Sequence, residues 1–167
     1  VLQRGSMTLY TDKAIHYLDR QEYQLLGTVK LVDETDTLLS KTMFFYNDSI
    51  SYLKALEDIF FTRKNQIITC DSLLFWTEQD SGLAMGSVIM KTDRDTMRTA
   101  AFNFWETEGY RGTSFITSGG TEITESDRII LADEITYDDE TQIMSLTDDS
   151  RINEPGKGLR GDRISIQ

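Results

Sequence analysis

Side chains that could carry out catalysis are few in this chain and lie far apart. It contains one His, His16, and one Cys, Cys70, whereas Asp and Glu together number 28. A Ser–His–Asp triad would need His16 beside a nucleophile, and no nucleophile-elbow motif accompanies it. Zinc-ligand spacings and glycine-rich phosphate loops are also missing. The sequence therefore predicts a protein that is not an enzyme and that uses no cofactor or metal.

The acidic residues are concentrated in short polar stretches that are typical of turns. They occur at 33–36, 93–95, 138–140 and 148–149, and the formal net charge of the chain is −11. Nucleic-acid binding requires a basic surface, so this charge argues against a nucleic-acid partner. No twelve-residue calcium loop with its terminal Glu is present. We interpret these stretches as solvated turns.

The strongest pattern is a repeat of about thirty residues. Equivalent positions fall at residues 12, 41, 71, 100, 133 and 162, so neighbouring copies are separated by 29, 30, 29, 33 and 29 residues. Such an even period is typical of a chain built from copies of one supersecondary unit. Those six positions serve below as the reference position of each copy.

Apolar residues alternate on both sides of the reference position. A small residue precedes it by one, and apolar residues stand three before it and two after it. Four residues after it the side chain is mostly aromatic, as at Phe45, Phe75, Phe104 and Tyr137. A spacing of two predicts strands with one apolar face. The step of three across the reference position would reverse that face, so we expect a bulge or corner there.

A second strand segment returns fifteen residues after the reference. We align Gly27, Leu56 and Gly86 at its start, which places Val88 and Met90 in two further inward columns. The same alignment puts Phe60 and Ile123 in the second of these columns, and Ile135 occupies the column two residues after a reference position. Residues 48–61 also fit a helical period of 3.6, but the repeat register predicts a strand there.

The inward columns admit two interpretations. Stacked copies turn each column into a continuous apolar stripe, and two stripes that pack on each other close a dry core, as in a solenoid. Two splayed sheets would instead leave a groove suited to extended acyl chains, whose burial contributes about 0.8 kcal/mol per CH₂. The spacing alone does not separate these interpretations.

The repeat unit resembles the OstA/LptA-like family of lipopolysaccharide-transport proteins. The resemblance rests on Gly27-Thr-Val29, Gly86-Ser-Val88, Leu131–Tyr137 and Leu159–Ile164, and covers essentially all of residues 8–167. It implies an all-β OstA-like β-jellyroll, an open V-shaped stack of antiparallel strands. It also implies a periplasmic location in the Gram-negative cell envelope and non-enzymatic transport of lipopolysaccharide to the outer membrane.

The resemblance further implies partners and contacts. The partners would be lipopolysaccharide through its lipid A chains, other transport components that pair with the edge strands, and further copies joined head to tail. The family's lipid contacts come from inward apolar positions. Carried over column by column, they are Phe45, Phe60, Phe75, Val88, Met90, Phe104, Ile123, Ile135 and Tyr137.

The domain organisation follows from the extent of the repeat. Residues 1–6 look like the remnant of an expression tag and are excluded from the fold. Residues 7–167 are expected to form one domain, and the chain stops half-way through a sixth copy, which suggests a fragment of a longer protein.

Two other functions remain open. A structural β-solenoid could assemble with itself or with partners and bind no lipid. A β-domain that binds or degrades polysaccharide would need an exposed aromatic row, for which Trp76, Trp105, Tyr17 and Tyr46 are the candidates. The same row could simply cover the outside of the sheet.

Overall fold

The computed structural model describes residues 1–4, 6–34, 36–46, 52–76, 78–106 and 113–167. These residues contain fourteen strands and no helix, and so no helix that could cross a membrane. The strands are β1 (Leu2–Arg4), β2 (Met7–Tyr10), β3 (Lys13–Tyr17), β4 (Glu22–Asp33), β5 (Asp36–Tyr46), β6 (Leu53–Arg63), β7 (Gln66–Trp76), β8 (Ser81–Lys91), β9 (Thr96–Trp105), β10 (Ser114–Thr124), β11 (Ile129–Ala132), β12 (Glu134–Asp138), β13 (Ile143–Glu154) and β14 (Lys157–Ile166).

The strands form one antiparallel sheet in which most neighbours in sequence are also neighbours in space. From β4 to β10 each strand pairs with the next, and β13 pairs with β14. The repeat unit is interrupted at two reference positions, Asp12 and Asp133, where one long strand is replaced by two short ones. As a result β2 and β3 both pair with β4, and β11 and β12 both pair with β10 and β13. Residues 2–4, which the sequence analysis set aside, pair with β2.

The predicted corner at the reference position is confirmed. The register between β5 and β6 shifts between Leu39 and Thr42, and the same shift recurs in the pairs that follow. At each shift the returning strand contains one residue more than its partner strand, which is the arrangement of a β-bulge. On β9 both Thr99 and Phe102 are buried although they stand three positions apart, an odd step that would place them on opposite faces of a regular strand. The bend therefore keeps both halves of each strand facing inward.

The strand assignment for the ambiguous middle segment is also confirmed where the structure describes it. Residues 53–63 form β6, whose pairing with β5 and β7 is continuous apart from the bulge. Residues 48–51 of the alternative helix lie outside the described residues. Tertiary pairing on both sides satisfies the backbone donors and acceptors of this segment, which outweighs its weak helical period.

The bulges divide the sheet lengthwise into two limbs. Limb A consists of the strand halves that carry Met43, Leu73, Phe102 and Leu146. Limb B consists of the halves of the same strands on the other side of the bulges. The buried side chains of both limbs form one core. Phe61 of limb B contacts Phe75 of limb A with ring centroids 5.7 Å apart, so the limbs meet face to face. The chain is an all-β jellyroll built from repeats and folded along its line of bulges.

Candidate functional site

The predicted lipid-contact residues line the space between the limbs, with one exception. Val88 and Phe104 are 1% exposed, Ile135 is fully buried, and Met90 and Ile123 are nearly so. The remaining inward members are partly buried and pack against the same core: Phe45, Phe75 and Tyr137. Eight residues of the predicted set therefore share one interior. Along its middle the two stripes pack on each other, as the dry-core interpretation requires.

Phe60 is the exception, and its predicted inward position is wrong. It is 38% exposed, whereas its neighbour Phe61 is 4% exposed and belongs to the core. In β6 the bulge is formed by Glu57 and Asp58, which have φ of 65° and 51°. The counterpart of Gly86 is thus Glu57 and not Leu56. Counting from Glu57 would have placed Ile59 and Phe61 inward, both apolar, and that pattern was available in the sequence.

Aromatic rings connect the limbs in the middle of the molecule. Phe61, Phe75 and Phe104 form a mutual group with centroid separations of 5.7 to 6.4 Å. Phe104 also stacks on Phe102 at 5.3 Å. Separations in this range are those favoured by aromatic pairs, and rings of this size dominate the energetics of a core. A cavity of about 60 Å³ lies beside this group and is bordered by Leu38, Phe61 and Phe75 among others.

A buried arginine connects the two limbs beside this aromatic group, at the ends of the strands. The Arg63 side chain, at the end of limb B, is 7% exposed. Its Nη2 atom lies 3.0 Å from Asp80 Oδ1 and 3.0 Å from Glu106 Oε1, both at the end of limb A. Its Nε atom lies 3.6 Å from Asp36 Oδ2 on its own limb. The guanidinium also lies over the Phe75 ring at 5.5 Å. We call the section from β6 to β9 the closed section.

The C-terminal part of the interior is open. A cleft of about 670 Å³ lies between Ile152 and Leu159 of limb B and Ile166 of limb A. Leu159 is 54% exposed, an unusual value for an inward apolar position in this fold. Arg128 and Lys157 stand on the rim of the cleft. We call the section formed by β11, β13 and β14 the open section. None of these five residues is among the predicted lipid contacts.

The other candidates from the sequence have local roles. Burial raises the pKa of the Cys70 thiol to about 12, so the thiol stays protonated and unreactive near neutral pH. His16 stacks on Tyr23 at 4.1 Å, and Tyr23 stacks on Phe45 at 4.9 Å. Within the described ranges, no three His, Cys, Asp or Glu residues are grouped as a metal site would require.

The outward aromatic row does not form a clear sugar platform. Trp76 is partly buried and lies against Tyr52, with ring centroids 6.0 Å apart. Tyr17 donates a hydrogen bond to Gln24 and is covered by Arg20. The Tyr46 side chain lies outside what the structure describes. These contacts favour the interpretation that the row covers the outside of the sheet.

Comparison with known proteins identifies the fold. No family model and no curated protein matches the sequence. Among solved structures, the chain is similar to LptH from Pseudomonas aeruginosa, described as the LptA-homologous periplasmic component of the conserved lipopolysaccharide transport device. The similarity covers 96% of this chain and 94% of LptH, with 10% identity and a TM-score of 0.54. This chain therefore has the LptA-like β-jellyroll fold that the family resemblance implied.

Proposed function

We propose that this protein is a non-enzymatic periplasmic carrier of lipopolysaccharide, which shields lipid A acyl chains between its two limbs on the way to the outer membrane. The observation that supports this most directly is an apolar interior that runs through the repeats and opens as a cleft at its C-terminal end. The fold shared with a periplasmic transport component supports the same function.

The cleft has the properties that an acyl chain requires. Its inner surface presents Ile152, Leu159 and Ile166, and each buried CH₂ of a ligand would contribute about 0.8 kcal/mol. Lys157 and Arg128 line the rim of the cleft, where they would pair with the phosphates of an anionic head group. The head group would remain in solvent while only the chains enter.

The ends of the sheet supply the proposed bridging surface. Among the described strands β14 pairs only with β13, and the opposite edge of β14 is where a further strand would add. An unpaired edge is a template for β-augmentation by another chain. We assign this edge and the N-terminal edge to contacts with other transport components or with another copy placed head to tail.

Site-specific photo-crosslinking tests the carrier function. A photoreactive phenylalanine analogue replaces Leu159 in the cleft or Phe75 at the edge of the interior, and the control replaces Phe60 on the outer surface of β6. We expect lipopolysaccharide to be captured at Leu159 and, more weakly, at Phe75, but not at Phe60. Equal capture at Phe60, or none at Leu159, would contradict the carrier function.

The structural-solenoid alternative makes a different prediction from the same free edge. A scaffold would form concentration-dependent fibres and would take up no lipid. Sedimentation of the protein with and without lipopolysaccharide, combined with crosslinking at Leu159, separates the two functions.

A further inference from the structure

We propose that Arg63 is a latch that holds the limbs together over the closed section, so that its release controls the entry of an apolar chain from the open section into the rest of the interior. The proposal rests on the proposed carrier function for its ligand, but the latch itself is a property of this chain and is tested separately.

The position of Arg63 is the first argument. It is the last residue of β6 on limb B, and two of its three carboxylate partners, Asp80 and Glu106, stand at the end of limb A. The backbone N–H of Glu106 donates to the carbonyl of Asp80 at 3.3 Å, so the two acceptors are held side by side. One side chain thus connects the two limbs across the side where they would part.

The surroundings of the guanidinium are the second argument. Lys64 lies 2.9 Å from Glu106 Oε1 and adds a second cation to the same cluster. The Phe75 ring of limb A lies beneath the guanidinium, and Phe61 of limb B contacts that ring, so separation of the limbs would expose both rings. The latch therefore covers the contact that an incoming acyl chain would have to replace.

The energetics favour a latch that can open. A buried ion pair gains Coulomb energy but loses the hydration of both charges, and the two terms nearly cancel. Asp80 is 59% exposed, so water can replace the guanidinium at that carboxylate when the limbs part. In the open section the arginine at the rim of the cleft is Arg128, which pairs with Glu125 in its own turn.

Removal of the Arg63 contacts should increase the distance between the two limbs at the ends of their strands. Spin labels on cysteines at Ile67 of limb B and Gln79 beyond limb A, both exposed, report the separation of the limbs in a Cys70→Ala background. Relative to the protein with Arg63, we expect Arg63→Met to lengthen the label distance by about 4 Å, the contact diameter of a hydrocarbon chain. The control Arg98→Met removes an exposed cation that pairs with Glu122 on the same limb, and should leave the distance unchanged.

Binding of the dye N-phenyl-1-naphthylamine provides the second measurement. A ligand that binds only the open state has an apparent affinity reduced by the fraction of open molecules, so Arg63→Met should bind the dye about tenfold more tightly. If Arg63→Met does not fold, the double variant Asp80→Asn, Glu106→Gln removes the contacts to limb A and keeps Arg63. The same two changes are expected of it.

The outcomes distinguish the latch from the carrier function. An unchanged label distance and dye affinity in the folded variant, or equal changes in Arg98→Met, would overturn the latch whatever lipid is carried. A widened mouth with tighter dye binding supports the latch even if no lipopolysaccharide is captured at Leu159. The absence of lipopolysaccharide capture at Leu159 would contradict only the carrier function.

Discussion

The closed and open sections have the same repeat but differ in how their limbs meet. In the closed section, Phe61, Phe75 and Phe104 fill the interior and Arg63 crosses its mouth. In the open section Ile152 stands at the position equivalent to Phe61, and Ile166 stands at the position equivalent to Phe75 and Phe104. These two side chains leave a cleft beside Leu159. Smaller side chains and a cation that pairs within its own turn therefore distinguish an accessible interior from a sealed one.

The largest difference in stability between the sections is expected from truncating side chains that stand four residues after a reference position. Phe104→Ala removes a ring that is 1% exposed and should lower the free energy of unfolding by about 3–5 kcal/mol. Ile166→Ala changes a partly exposed residue farther along that row and should cost about 1 kcal/mol. Urea unfolding measures both. Equal losses would mean that the two sections are packed alike.

Alanine substitutions at the glycines of two bulges should differ less in the free energy of unfolding that they cost. Gly86 has φ of +77°, and a Cβ added there would collide with the side chain of Asp71, so Gly86→Ala should cost about 2 kcal/mol or more. Gly120 has φ of +82° but no atom within 4 Å of an added Cβ. Gly120→Ala should therefore cost only the backbone strain of about 1 kcal/mol. Thermal unfolding of the two variants would reveal any reversal of this order.

Burial of the Cys70 thiol in the closed section should also make the free energy of unfolding depend on pH. The pKa of Cys70 is raised to about 12 in the folded protein, against about 8.5 for a free thiol in the unfolded chain. Its contribution to stability is therefore complete below about pH 8.5 and is lost as pH rises toward 12, by about 1.4 kcal/mol per pH unit. The difference in unfolding free energy between the wild type and Cys70→Ala, measured from pH 7 to 10, isolates this contribution. A constant difference would show that water reaches the thiol.

The smallest effect is expected at the rim of the cleft. Arg128 pairs with Glu125 three residues earlier, at 2.6 Å, and both side chains are partly exposed. Arg128→Gln should lower the free energy of unfolding by about 0.5 kcal/mol or less. A loss above about 1.5 kcal/mol would indicate that this arginine also holds the limbs together, and the contrast with Arg63 would then fail.

Much of the fold was determined by the sequence itself. A period near thirty residues with apolar positions two apart specifies strands, and the step of three at the reference position specifies a bend, because side chains alternate strictly across a strand. The strand at residues 53–63 followed from that register against a competing helical period. The repeat pattern also placed eight of the nine candidate site residues on one apolar interior.

Only the tertiary structure decided how far apart the limbs stand, and it was the structure that located the bulge of β6. Glu57 and Asp58 adopt left-handed backbone conformations that favour glycine, so the missing glycine concealed the register and misplaced Phe60. The width of the interior depends on contacts between residues that are distant in sequence, such as Arg63 with Glu106. Such a contact is made by one copy and not by the others, so the repeat pattern does not predict it. Those long-range contacts separate a sealed core from an open cleft.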